Sequence, residues 1–285
     1  MKPSVGKLIT AALAIEDESA QDAGAMGFMA RAMVQATLPH KRVEGNEFIR
    51  RNGNFTLTMI APTETGLPYG SVPRLLLAWL TTEAVKTRSR ELELGASMSG
   101  FMAELGMSRT GGAKGDIIRL KDQTERLFDT TIYASYKDGE KTTRLKRSIT
   151  DDSVLWWDDK KPNQTALWRS TVTLSEPFFH EITEQPIPVD MRALRALKKS
   201  SLALDIYTTL TYRASYAKRA STIPWKKLAE QLGSNYKLVR QFKAAFVAEL
   251  RKVAAVYPAA QFDVTEAGLV LKPSLTHVTR RSVQR

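Results

Sequence analysis

Apolar residues recur at helix and strand spacing along two stretches of the chain, and both stretches run through the same order of elements. In the first, RLLLAWLTTEAVKTRS has helical spacing, and Pro73 stands where a helix begins without losing a needed donor. Leu75, Leu76, Trp79, Leu80 and Ala84 would face a core. The alternating ELEL predicts a strand, residues 97–105 a short helix, the glycine-rich GMSRTGGAKG a turn, and residues 114–129 a longer helix. TTIYASYKDGEKTTRLKRSIT predicts a hairpin turning at Lys137-Asp138-Gly139-Glu140, because Asp-Gly tolerates positive φ. VLWW and ALWRSTVTL add two strands.

Prolines at Gln185-Pro186-Ile187-Pro188 interrupt the pattern before the second stretch starts. Asp190 is a good N-cap for MRALRALKK, and LALDIYTTLTYRASY forms a second helix. A short strand (221–224), a short helix (225–232), a turn at Gly233 and a long helix (235–253) follow, with Tyr257-Pro258 as its stop. QFDVTEAGLVLKPS is again a hairpin. Helix, strand, helix, turn, longer helix and two-stranded wing is the order of a winged helix-turn-helix. The pattern therefore predicts an α+β chain of two tandem winged-helix domains, residues 28–185 and 186–285, after a partly ordered tail, residues 1–27. In that tail Lys2 and Lys7 precede LITAALA, an apolar run at the short end of what a secretory signal needs. We read it as a small helix and expect a cytoplasmic protein.

Charge distinguishes the two domains. The 285 residues carry 42 basic and 30 acidic side chains, a net +12. Residues 186–285 hold 18 basic and 6 acidic groups, whereas residues 1–185 hold 24 of each, so the whole excess lies in the second domain. A compact domain with that excess attracts polyanions and releases their counterions on binding, which points to nucleic acid. No apolar run nears the roughly 20 residues of a spanning helix, so no membrane partner is expected.

On a helical wheel, residues 235–253 place Val239, Phe242, Phe246, Leu250 and Val253 inward. Lys237, Gln241, Ala244 and Ala248 lie opposite, flanked by Arg240 and Arg251, with no acidic residue on that face. Small alanines allow backbone approach to a groove, Lys and Arg reach phosphates or guanine edges, and Gln reads adenine. The candidate DNA contacts are Lys237, Arg240, Gln241, Lys243, Ala244 and Arg251, with Lys272 in the wing and Arg280, Arg281 and Arg285 as a basic tail. Residues 114–129 bury Ile117, Leu120, Thr124 and Phe128 and expose Arg119, Asp122, Arg126 and Asp129, whose alternating signs favour ion pairs within the helix. The neutral first half is expected to serve mainly in subunit contacts, with phosphate contacts from Arg109, Lys114 and Arg119.

Catalytic patterns fail one by one. There is no cysteine, and the histidines are His40, His180 and His277. GGAKGD has Asp116 where a phosphate-binding loop needs Ser or Thr for magnesium. Asp151-Asp152 and Asp158-Asp159 lack nearby histidines, and neighbouring strand residues point to opposite faces. His277-Val278-Thr279-Arg280 resembles a recombinase motif without the tyrosine nucleophile. No enzyme activity, metal or cofactor is expected. Trp156, Trp157 and Trp168 are read as sheet core.

From Phe28 onward the chain resembles the plasmid-encoded RepA family of replication initiators. The residues that carry the resemblance are ATLPHKR, FIRRNGNFTLTMIAP, GLPYGSVPRLLLAWLTTEAV, the TGG turn with its following helix, and LALDIYTTLTYR. The resemblance implies winged-helix domains that bind double-stranded origin DNA at direct repeats, called iterons. It also implies host partners in the initiator ATPase and the replicative helicase, and a homodimer in equilibrium with monomer. By similarity, base contacts fall to Lys237, Arg240, Gln241 and Ala244, and the interface to the amino-terminal domain. The alternative reading is a winged-helix transcriptional repressor; a third reading, an origin-nicking enzyme, lacks the residues for it.

Overall fold

The computed structural model describes residues 3–95, 97–108, 110, 112, 115–155, 170–233 and 236–278. The chain opens with α1 (Pro3–Asp17), β1 (Met26–Met29) and α2 (Arg31–Gln35), then the hairpin of β2 (Glu47–Asn52) and β3 (Phe55–Ile60). A first unit runs through α3 (Ser71–Thr87), β4 (Glu91–Glu93), α4 (Met98–Glu104), α5 (Asp116–Phe128), β5 (Thr131–Asp138), β6 (Lys141–Ser148), β7 (Thr150–Val154) and β8 (Thr171–Leu174). The connection is α6 (Glu176–Glu184), β9 (Ile187–Asp190) and α7 (Met191–Leu197). A second unit comprises α8 (Ser201–Ala214), β10 (Ser221–Pro224), α9 (Trp225–Leu232), α10 (Val239–Val256), β11 (Phe262–Val264) and β12 (Gly268–Leu271).

Sheet order shows that both units are winged helices. In the second, the strand between the first two helices pairs with the last strand of the wing, in the order β10-β12-β11; the first repeats this as β4-β8-β7. The wing of the first unit is therefore β7–β8, not the hairpin β5–β6 that follows α5 directly. Those two strands instead extend β2 and β3 into a four-stranded sheet, β2-β3-β5-β6, with Phe55–Ile60 paired antiparallel to Thr131–Tyr136. Local turn chemistry identifies which strands form a hairpin; it carries no information about what the hairpin's outer edge meets.

Directly after Pro186, where the pattern breaks, the chain forms a strand. β9 lies antiparallel to β1, with Phe28 opposite Pro188, and a proline is tolerated because each strand of this two-stranded sheet has an unpaired edge. Gly27 lets β1 approach closely, since a Cβ there would lie 2.5 Å from Met191 Sδ and 2.9 Å from Thr82 Oγ1. The expected small helix is thus docked on the rest of the chain, and the segment after it leads into a paired strand. α1 packs on α7 and α10. Arg192, bound to Asp190 at 2.8 Å, caps its end by donating to Ala14 O (3.0 Å) and Glu18 O (2.8 Å).

Apolar residues of both units form one continuous core. At its centre is a buried ion pair. Arg74 of α3 donates from Nε to Asp205 Oδ1 (2.6 Å) and from Nη2 to Oδ2 (2.7 Å) across to α8. Its remaining N–H groups reach Gly70 O (2.6 Å), Leu38 O (2.7 Å) and Pro39 O (3.2 Å), and His40 Nε2 lies 2.7 Å from Asp205 Oδ2. Arg74 and Asp205 are each 4% exposed. Burial opposes the charge on Asp205, but Arg74 and the hydrogen bond from His40 outweigh it and hold the carboxyl below its ordinary pKa. Gly70, at φ 83° and ψ −161°, occupies backbone space that only glycine enters readily, which turns its carbonyl onto Arg74.

A second tie joins β2 to the turn after α9. Arg50 donates to Gly233 O, and burial lowers its pKa to about 10. Nearby on α8, Tyr207 OH accepts from the Asp190 amide at 2.9 Å and lies 2.7 Å from His277 Nδ1, whose ring stacks on Tyr257.

Removing one partner of a buried ion pair strands the other charge, so Asp205→Asn is expected to cost about 3–5 kcal/mol in urea unfolding. Because the core is continuous, tryptophan fluorescence and far-ultraviolet circular dichroism should report one shared transition, and two separate ones would refute the coupling. Burial lowers the pKa of both His40 and His277 below the ordinary 6.5. Around His40, Arg74 and Arg50 reinforce burial while Asp205 opposes it. A depressed histidine contributes stability above its unfolded pKa and loses it as the pH falls below, so the Tm should drop between about pH 7 and 5. His40→Gln should flatten that slope; an unchanged slope would exclude His40 as a source.

Candidate nucleic-acid interface

The recognition position of the second unit is α10. Phe242, Phe246, Leu250 and Val253 are at most 1% exposed. Edge-on contact of Trp225 with Phe246, ring centroids 5.6 Å apart, fixes α10 against α9, and Tyr236 packs on Phe242 at 5.6 Å. Val239 is the exception to the expected inward face: it is 43% exposed. The helix starts at Val239 rather than at residue 235, so its first turn projects beyond the core. Lys237 consequently lies in the bend before the helix instead of on its wheel, and it is exposed.

Arg240, Gln241, Ala244, Ala248 and Arg251 all face solvent. Lys243 is partly covered. Its Nζ sits 5.4 Å from the Trp225 ring centroid and 3.2 Å from Glu266 Oε2 in the wing turn. Lys272 Nζ is likewise 2.8 Å from Asp263 Oδ2. The helix face itself carries no acidic residue, but the wing brings two carboxylates to the edge of the surface. Exposed pairs of this kind contribute about 0–1 kcal/mol, so a phosphate can displace them readily. Tyr236, Leu238 and Val239, 38–45% exposed, form an apolar lip at the entry to α10 that the wheel argument missed. The signal for it was present: NYKLV places three apolar residues around the helix start, where they cannot all turn inward.

The corresponding helix of the first unit is α5. Ile117, Leu120, Thr124 and Phe128 are buried as expected, together with Gln123, whose Oε1 accepts from the Tyr69 amide at 2.7 Å. Arg119 is exposed and lies 3.2 Å from Asp116 Oδ1. Arg126 makes the expected ion pair within the helix but is not exposed. It folds onto Asp122 Oδ1 at 2.8 Å, with its guanidinium 5.8 Å from the Tyr69 ring centroid, and its side chain is only 13% exposed. Arg109, Lys114, Trp156, Trp157, Asp158, Asp159, Trp168, Arg280, Arg281 and Arg285 lie outside the described residues.

The histidines are far from forming a common site. His40 serves the ion pair at Asp205, His180 lies 2.9 Å from Glu184 on α6, and His277 belongs to Tyr207. Asp151 is bound by Arg90. Among the described residues, no three His, Asp or Glu side chains are grouped to hold a metal ion, and no helix is long and apolar enough to cross a membrane.

The architecture is shared with crystal structures of RctB. Domains 2–3 of RctB superpose with a TM-score of 0.51 at 12% identity, covering 85% of this chain and 96% of that one. A selenomethionine form of the same two domains gives 0.54 at 11% identity, covering 86% and 99%. No curated protein sequence matches the chain. The family model described as plasmid-encoded RepA protein matches residues 67–227, from the GLPYGS turn before α3 through α9 to its first residues, so it spans the inter-unit ion pair. By that match over more than half its length, the chain belongs to the plasmid-encoded RepA family of replication initiators.

Proposed function

We propose that the chain is a plasmid replication initiator that binds directly repeated sequences in its origin through its winged helices and carries no active site of its own. The observation that carries this reading is the surface of α10. Lys237, Arg240, Gln241 and Ala244 stand exposed in front of an aromatic wedge that holds the helix rigidly. The basic excess of residues 186–285 supplies the long-range attraction, and the exposed side chains supply groove contacts. Arg251 and, once released from their carboxylates, Lys243 and Lys272 reach phosphates. Arg119 adds a phosphate contact from the first unit.

The coupling of the units supports direct repeats. Two unlike winged helices held in one body present an asymmetric surface, and copies of an asymmetric site read by separate molecules are arranged head to tail. In this reading the partners are duplex origin DNA, the host initiator ATPase and the replicative helicase, in the cytoplasm, with a dimer that dissociates to the binding monomer.

Gln241→Ala is expected to weaken specific binding by about 1–3 kcal/mol and to relax sequence choice, while Arg251→Ala, at a phosphate contact, weakens all sequences alike and flattens the salt dependence. Fluorescence anisotropy on origin DNA measures both, and unchanged affinity in both variants would remove α10 as the reader. Footprinting should protect several direct repeats; one inverted repeat would identify a repressor instead. Supercoiled origin plasmid should stay intact with magnesium or manganese, and an EDTA-sensitive strand break would establish a nicking enzyme.

A further inference from the structure

A second concave surface contains no residue of α10. It is a cleft of about 680 Å³ where the first turns of α3, α5 and α8 meet. Five cations line it: Lys41 and Arg42 from the segment after His40, Arg119 from α5, and Lys198 and Lys199 from the junction of α7 with α8. Asp116 is the one carboxylate among the lining residues, and Arg119 already engages it at 3.2 Å. Lys41, Arg42 and Lys199 are exposed and have no ion-pair or hydrogen-bond partner among the described residues. Neither half of the sequence shows this concentration, because three of the cations come from the charge-neutral half and two from the basic one.

The backbone adds to it. α3 begins at the cleft without a side-chain cap, since its N-cap is Gly70; Ser71 and Val72 of its first turn line the cleft, and Pro73 has no N–H to cap. Ser71 and Ser201, whose hydroxyl oxygens are 3.5 Å apart, both line the cleft. Burial and the neighbouring Lys7 lower the pKa of Lys198 while Asp116 opposes the shift, and its ammonium donates to Gly106 O at the cleft margin.

We propose that this cleft is a phosphate-recognition site, taking a phosphoester or polyphosphate group between Lys41, Arg42, Lys199 and the first turn of α3. A planar carboxylate offers two oxygens to these donors, whereas a phosphate offers three or more in a tetrahedral array, which suits cations arriving from several elements. The cleft of about 680 Å³ has room for more than a single ion, so a phosphate carried on a larger molecule fits it. That molecule is either the DNA backbone, in which case the site rests on the DNA-binding reading above, or a free phosphorylated compound.

The full-length chain tests this with inorganic pyrophosphate in calorimetry and with origin duplex in a salt series. Lys41→Ala/Arg42→Ala/Lys199→Ala removes exposed groups and should leave the Tm unchanged. Lys137→Ala/Lys141→Ala/Arg144→Ala, on the exposed hairpin β5–β6, loses the same charge elsewhere. Pyrophosphate affinity falling at least tenfold in the cleft variant and under twofold in the hairpin variant, with DNA binding unaltered, identifies a free phosphate ligand. A salt slope reduced by about 2–3 in the cleft variant, beyond any change in the hairpin variant, identifies the DNA backbone. If the cleft variant loses no more than the hairpin variant in both assays, the site is overturned. Absence of DNA binding by the unaltered chain would sink the initiator reading and leave the pyrophosphate comparison standing.

Discussion

The ion pair between Arg74 and Asp205 is the constraint on which the rest of the molecule depends. Two charges taken out of water each carry a desolvation cost of several kcal/mol, offset only when the partner is close and every remaining donor is satisfied. Here the carboxylate takes two guanidinium bonds and one from His40, and Arg74 spends its other N–H groups on three backbone carbonyls. Any other docking of α3 on α8 would leave a buried charge alone. The contact therefore specifies one arrangement of the two winged helices, which unspecific apolar burial would not. Three of the sequence blocks that carry the family resemblance meet at this point. His40 comes from ATLPHKR, Arg74 from GLPYGSVPRLLLAWLTTEAV and Asp205 from LALDIYTTLTYR.

Rigid coupling has consequences for the surfaces. With β1 paired to β9, α1 against α7 and α10, and Arg50 held to the turn after α9, the second unit is braced on three sides by the amino-terminal half. α10 can then meet a ligand as a preorganised rod, with little ordering entropy lost on contact. The same assembly gathers cations from both halves around the amino-terminal ends of three helices. The charge-neutral half thus contributes to an electropositive surface through position, although its composition is balanced. The wing works in the opposite sense, since Glu266 and Asp263 hold Lys243 and Lys272 in weak pairs that an incoming phosphate must replace.

Much of the fold was legible because local rules and tertiary demands agree. Asp190 caps α7, β10 and α9 fall where the pattern put them, and Phe242, Phe246, Leu250 and Val253 form the buried stripe of α10. Disagreements occur where a local signal has two tertiary solutions. The prolines at 186 and 188 read as a break, yet Pro188 lies within β9, where a two-stranded sheet accepts it. The β5–β6 hairpin sits in the wing's place in sequence, but the strand that pairs with β4 is β8, which stands much later in the chain. The helical period extends back to residue 235 on paper, whereas the backbone enters the helix only at Val239 and leaves Lys237 in the bend.

The sequence by itself determined the element types, the repetition of the winged-helix order, the location of the positive excess and the kinship carried by its motifs, because these are set by periodicity, cap chemistry and composition within short windows. Only the tertiary structure decided which strands form each wing, how the two units are locked, which lysines are free, and that Lys41, Arg42, Arg119, Lys198 and Lys199 share one cleft. These are contacts between residues far apart in the chain. They follow from the few arrangements in which Arg74 and Asp205 can both be buried and paired, a condition that no local window contains.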